Sequence, residues 1–353
     1  MEAVVSPRVD FWRDRRVLVT GHTSFKGAWL ALLLRRLGAV VTGIALAPEP
    51  GPNAFELLRV APLLAADHRA DLRDGATLRA LLRAARPEIV LHLAAQAFVG
   101  RGHREPSATF AINLTGTLHV LEALRDLPGL AAAVIVTSDK VYRNDGSGRA
   151  FREEDPLGGA DPYSASKAAA EIAVASWRAS FGEELPPLAT ARAGNVIGGG
   201  DFGPQRLVPD LVRAQQAGLA LRLRRPDATR PFQHVLDVLR GYLLLAERVA
   251  TGDAPMAVNF GPADGEVRVR DLLDIWGEAT GRPVRWELER GPLMPEAPRL
   301  GLDSSLAAES LGWRPRLATP AAIAETARWY EAWDAGADLQ AAAIAAIDRL
   351  VLA

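Results

Sequence analysis

The chain has no cysteine, which excludes a disulfide framework, a thiolate nucleophile and a Cys-ligated metal. It also lacks an excess of either charge: 41 Lys and Arg stand against 42 Asp and Glu, a net charge of -1. The arginines are scattered among acidic residues, leaving no electrostatic case for nucleic acid or an anionic membrane as partner. Long apolar runs are missing as well. Trp29 to Leu34 is cut short by Arg35 and Arg36, far from the roughly 20 residues that cross a bilayer. Met1 to Asp10 has no apolar signal core, so a cytoplasmic protein is expected. No paired His or carboxylate spacing suggests zinc. His22, His92 and His234 are therefore read as hydrogen-bonded structural groups and no metal is assigned. Internal repeats and low-complexity tracts are absent too.

What is present is 353 residues, 49% of them apolar, enough for one large or two modest domains. A β-branched run from Arg15 to Thr20 leads through a glycine turn into an apolar helix, Phe25 to Leu37, stopped by Gly38. Strand and helix signals then alternate: Val40 to Leu46, Ile89 to Leu93, a helix around Ala111 to Leu124, and Ala133 to Thr137. Asp161-Pro162 suits a helix start, with the helix running to about Phe181, and Leu188 to Arg192 follows as a strand. Alternation of this kind predicts an α/β fold, a Rossmann-type doubly wound parallel sheet. Past Asn195 come Gly198-Gly199-Gly200 and prolines, which read as a smaller mixed α/β substrate-binding C-terminal lobe. The expected division is a dinucleotide-binding domain over 11–192 with a returning segment near 232–260. A substrate lobe over 193–231 and 261–333 follows, and then a helical extension over 334–353 that is peripheral to the fold. Trp276, Trp313, Trp329 and Trp333 are read as packing residues.

Thr20-Gly21-His22-Thr23-Ser24-Phe25-Lys26-Gly27 sits between the first strand and first helix, where a glycine turn lets a pyrophosphate approach backbone amides. Ser24 stands where the strict pattern has its middle glycine. Gly21, Asp71, Ala94-Ala95 and Ser138-Asp139 all fall at carboxyl ends of expected strands, where ligands collect in open parallel sheets. Gly43 to Ala47 carries neither an acidic residue nor an arginine to choose between NAD and NADP.

Tyr163 and Lys167 share one helix face, where a cation near a phenol makes a usable base. Lys167 can equally pair with Glu171 on a helix surface. Thr137-Ser138-Asp139-Lys140 upstream adds proton-handling groups that hydride transfer alone does not use, so the combination points to oxidation, elimination and reduction in one site. Asp139-Lys140 also reads as a solvated turn. Both side chains can reach one sugar only if the backbone leaves β geometry at Ser138.

At these residues the chain resembles a known family. Phe11-Trp12, the glycine turn, His92-Leu-Ala-Ala-Gln96, Thr-Ser-Asp-Lys140, Asp161-Pro-Tyr-Ser-Ala-Ser-Lys167, Arg192-Ala-Gly-Asn-Val-Ile-Gly-Gly-Gly-Asp201 and Arg230-Pro-Phe-Gln-His234 are similar, in order, to the CDP-glucose 4,6-dehydratases. These belong to the extended short-chain dehydrogenase/reductases. The resemblance implies tightly held NAD, a CDP-glucose substrate and a homodimer. It implies Ser138, Asp139, Lys140, Tyr163 and Lys167 as catalytic residues. For NAD it implies Gly21, Ser24, Phe25, Lys26, Gly27, Asp71, Leu72, Leu93, Ala94 and Ala95, with Tyr163 and Lys167. For the nucleotide sugar it implies Gln96, Ser138, Asn195, Arg206, Leu207, Arg230 and Asn259. Asp139 is then the acid for the departing hydroxyl, which needs a raised pKa. Relatives acting on dTDP-glucose carry Glu at the position of Lys140, so the base at carbon 5 is open; a charged Lys140 would stabilise the enolate. The alternatives are an epimerase or reductase that leaves Asp139 and Lys140 idle, and a non-catalytic NAD-binding protein.

Overall fold

In the central sheet the apolar residues of each inner strand divide between two faces. Val17 and Val19 of β1 (Arg16–Thr20), Ile89 and Leu91 of its neighbour (Ile89–His92), and Val134 and Val136 of the next strand (Ala132–Val136) join one core. Leu18, Val90, Ala133 and Ile135 join the other. That two-residue alternation with apolar side chains on both faces is what a parallel sheet covered by helices on either side demands. The computed structural model describes residues 5–182, 184–290 and 299–353. Its sheet comprises β1, β2 (Val40–Ala45), β3 (Ala66–Arg69), β4 (Ile89–His92), β5 (Ala132–Val136), β6 (Leu188–Ala193) and β7 (Ala257–Phe260). All pairings are parallel and the order is β7-β6-β5-β4-β1-β2-β3. Strand order reverses between β1 and β4, and the crevice beyond their carboxyl ends is the topological switch point.

α1 (Phe25–Arg36), with eight buried residues, and α2 (Val235–Ala250) cover the first face; the helices Gly75–Ala85, Gly116–Arg125 and Pro162–Phe181 cover the second. The segment expected as one helix around Ala111 is a chain of short turns, Val99–Arg104, Pro106–Phe110 and a π turn Ala111–Thr115, that runs into Gly116–Arg125. β3 lacks the apolar pattern that marks the other strands in the sequence, and Gly75–Ala85 is a further helix beyond those expected. Beyond β6, small two-stranded pairs and helices such as Leu207–Gln216 and Val269–Thr280 form the rest. Residues 291–298 of the expected substrate lobe lie outside the described residues.

The last helix corrects the expectation of a peripheral extension. Leu339–Ile347 and the turn after it bury Ala343, Ile347 and Val351 in the first core, packed on α1, α2 and the helix Thr319–Asp334. Three buried apolar residues one helical turn apart make this a structural element. Among the described residues no helix is long and apolar enough to cross a membrane.

Candidate active site

The turn after β1 needs glycine at two places and has it at both. Gly21 lies at φ +79°, and a Cβ there would stand 2.8 Å from Ala94 N on the neighbouring strand end. A Cβ on Gly27 would meet Gly21 O at 2.1 Å. Ser24, by contrast, sits at φ -77°, ψ 167°, open to any residue. Its hydroxyl caps α1, accepting from Gly27 N at 3.3 Å and donating to Gly21 O at 2.7 Å. The departure from the strict pattern thus falls where glycine is not required. A helix N-terminus opening on a groove that any β-carbon would fill fits a dinucleotide pyrophosphate.

The surrounding strand ends supply the walls. Leu93, Ala94 and Ala95 follow β4, with Leu93 N donating to Thr20 O and Ala94 N to the Thr20 hydroxyl, 3.2 Å each. Asp71 follows β3, where Arg73 grips its carboxylate and holds it below the usual range. Leu72 is buried against Gly116, so its side chain belongs to the core.

Asp161 builds the catalytic helix by accepting from Tyr163 N and Ser164 N at 2.9 and 3.0 Å. Tyr163 and Lys167 then project inward, 8% and 6% exposed. Lys167 does not pair with Glu171: its Nζ donates to Val136 O, at the end of β5, at 3.1 Å. Burial, helped by the charge of Lys26, lowers its pKa to about 7. Burial also pushes Tyr163 up to about 12, against the Ser138 hydroxyl and the charge of Arg206, which favour phenolate. The expected lowering of the phenol by its lysine is therefore absent, because desolvation outweighs the polar neighbours.

Between β5 and this helix runs the turn carrying Ser138, Asp139 and Lys140. Ser138 keeps extended dihedrals, φ -165° and ψ 158°, and the chain coils into a 3-10 turn over Asp139–Val141. The break from strand geometry therefore comes one residue after the expected place. Ser138 Oγ donates to Asp139 Oδ1 at 2.9 Å and accepts from Lys140 N at 3.2 Å. Asp139 is 2% exposed, so it is no solvated turn; its Oδ2 has no hydrogen-bond partner, and burial raises its pKa against the charges of Lys140, Arg230 and Lys26. Lys140 is half-buried. Lys26 reaches past the glycine turn to the Tyr242 hydroxyl at 3.4 Å, and burial lowers it to about 8.

Two residues expected to bind substrate have their side-chain amides engaged within the protein. Asn259 is fully buried, its oxygen accepting from Tyr142 OH at 2.6 Å and its nitrogen donating to Phe151 O and Asp303 O. Gln96, 5% exposed, donates to Thr109 Oγ1 and accepts from Phe98 N, shaping its own loop. Both amides are engaged at either end, so each shapes the chain around it. Arg206 lies over the Phe98 ring with Asp201 at 2.9 Å, and Leu207 opens the helix behind it. Asn195 stands half-buried at the unusual φ of +39°, and Arg230 is buried, donating to Thr229 O and felt electrostatically by Asp139. The histidines are occupied: His92 between Thr20 and Thr117, His22 on Asp67, His234 capping α2.

Sequence reasoning missed the network beneath the catalytic groups. Glu171, 4% exposed, takes hydrogen bonds from Thr137, from Thr190 at 2.8 Å and from Arg192 at 2.8 Å, and Arg192 continues to Tyr142 OH at 2.9 Å. The one available signal was a carboxylate one turn beyond Lys167 on a face otherwise apolar.

The model of the NAD dependent epimerase/dehydratase family matches residues 17–261. The CDP-glucose 4,6-dehydratase of Salmonella typhimurium is 39% identical over 343 residues, 94% of each chain. A dTDP-glucose 4,6-dehydratase of Xanthomonas campestris is 28% identical over 334 residues, 89% of this chain and 92% of that one. Among solved structures, the UDP-glucose-4-epimerase of Stenotrophomonas maltophila with bound NAD shares the fold with a TM-score of 0.80 at 24% identity, covering 92% of this chain and all of that one. The dTDP-glucose 4,6-dehydratase of Streptomyces venezuelae, with NAD bound, reaches 0.76 at 25% identity, covering 92% and 99%.

Proposed function

The chain belongs to the NAD dependent epimerase/dehydratase family, and on that footing we propose that it is a CDP-glucose 4,6-dehydratase, a lyase yielding CDP-4-keto-6-deoxyglucose. The observation that carries the reading is Asp139, a buried carboxyl raised by burial, hydrogen-bonded to Ser138 and with its other oxygen unpartnered among the described residues. An epimerase or reductase has use for Tyr163 and Lys167 but none for a buried carboxyl beside them. The choice of CDP-glucose is supported by the identity to the Salmonella enzyme.

The residues that would hold NAD are Gly21, Phe25, Lys26 and Gly27 at the pyrophosphate, together with Tyr163 and Lys167. When bound, NAD supplies a two-electron carrier that accepts hydride from sugar carbon 4 and gives it back at carbon 6. Tyr163 receives the 4-hydroxyl proton. Since its phenol is neutral as the site stands, Ser138 and the charge of Arg206 are what this chain provides toward phenolate. The 4-ketone acidifies the hydrogen on carbon 5, so a base removes that proton and the C5–H electron pair forms the C5–C6 double bond as the C6–O bond breaks. Asp139 gives its proton to the carbon 6 oxygen, which leaves as water. Lys140, on the same turn, stabilises the enolate in this proposal. Arg206 and Arg230 hold the diphosphate, with Asn195 and Leu207 beside them. A cytoplasmic homodimer is part of the proposal and is checked by sedimentation.

The test is incubation of the purified protein with CDP-glucose and with dTDP-glucose, without added reductant, following the alkali-induced absorbance of a 4-keto sugar. A signal with CDP-glucose is expected; silence with both removes the reading.

A further inference from the structure

Gly194 is buried just after β6, and its φ is not in the left-handed region, so no positive φ demands glycine there. Glycine after a strand is entropically unfavourable without such a demand. Space supplies the reason. A Cβ on Gly194 would stand 2.0 Å from Asp139 Oδ2, 2.3 Å from its Cγ and 2.8 Å from its Cβ. The whole acid end of Asp139 therefore lies in a slot that only the missing side chain leaves open. The backbone around the slot is fixed on its other side, since Gln233 Nε2 donates to Gly194 O at 3.1 Å and to Phe260 O at 2.6 Å. Gly194 cannot yield, so the carboxyl must.

We propose that Gly194 is a positioning residue for the elimination step: by lacking a β-carbon it seats the Asp139 carboxyl, and so decides whether oxidation at carbon 4 is followed by loss of water. This rests on the dehydratase reading. In the step concerned, a base takes the carbon 5 proton, the C5–H electron pair becomes the C5–C6 double bond, the C6–O bond breaks, and the proton from Asp139 completes the leaving water. A methyl group at position 194 turns the carboxyl out of its slot while Tyr163 and Lys167, on another element, keep their places.

The test is a two-residue cycle of Gly194→Ala and Asp139→Ala, read first by thermal unfolding. Gly194→Ala is expected to lower the melting temperature by several degrees (roughly 2–5 °C), and Asp139→Ala in the same chain to recover part of that loss, because the carboxyl at 2.0 and 2.3 Å is gone and only the Cβ at 2.8 Å remains. A deficit that Asp139→Ala leaves unchanged overturns the proposal, and this arm needs no activity. The second arm mixes Gly194→Ala holoenzyme with CDP-glucose. Keto-sugar formation should fall roughly 100-fold or more, while the near-ultraviolet absorbance of reduced nicotinamide still rises. Asp139→Asn added to Gly194→Ala should cost nothing further. Wild-type elimination in Gly194→Ala, or equal loss of both signals, overturns the proposal. A wild-type protein that makes no keto sugar sinks the dehydratase reading instead, and the unfolding cycle still decides the slot.

Discussion

Replacing Glu171 with Ala removes a carboxylate from beneath the catalytic groups without touching them. Glu171 and Arg192 are each 4% exposed and joined at 2.8 Å, with the hydroxyls of Thr137 and Thr190 on the same carboxylate. Deleting one member of a buried pair leaves the other charged and unpaired, a loss of about 3–5 kcal/mol. For a chain of 353 residues, an unfolding entropy of about 2.1 cal/mol/K per residue turns that into a melting-temperature drop of about 4–7 °C. Thr137 leads directly into Ser138, so kcat should fall as the turn loosens while KM changes little. Scanning calorimetry of Glu171→Ala, Arg192→Met and the pair Glu171→Met with Arg192→Met is the assay, with the apolar pair expected to lose less than the sum of the single changes. A Glu171→Ala protein melting within about 1 °C of wild type, or an apolar pair worse than additive, refutes the reasoning.

Tyr163→Phe should lower kcat by about 10²–10⁴ with CDP-glucose binding unchanged by calorimetry; retention of a tenth of wild-type turnover removes Tyr163 as the base. Gly21→Ala, strained at φ +79° and driven against Ala94, should purify without NAD and unfold earlier, which cofactor content and melting together measure. The stability of the NAD-free protein should rise with pH from about 7 toward 10: Lys167 titrates at about 7 folded against 10.5 unfolded, and Lys26 at about 8. In that window the unfolded chain holds more protons, so the sign is positive. Urea midpoints at several pH values check it, and Lys167→Met should flatten the slope.

The parts that were legible in the sequence are those made by neighbours in the chain. Gly21 and Gly27 bracket a helix start, Asp161-Pro162 opens the catalytic helix, and Tyr163 and Lys167 share a face because helical repeat alone puts them there. Strand signals from Val17, Ile89 and Val134 were strong because both sheet faces are buried. β3, with Asp67 and Arg69 exposed in part, has no such pattern to read. For Ser24 the local dihedral, invisible in the letter, decided that no glycine was needed.

Residue types and their order fixed the parallel sheet, the glycine turn and the pairing of a phenol with an amine, since each follows from backbone geometry over a few positions. Tertiary structure alone decided the protonation of the site. Burial raises the Asp139 carboxyl and lowers Lys167 to about 7 because residues distant in sequence exclude water from them, and desolvation is a property of the surroundings. The same holds for the amides of Gln96 and Asn259: what they bind depends on which chain segments fold over them, 117 residues separating Asn259 from Tyr142.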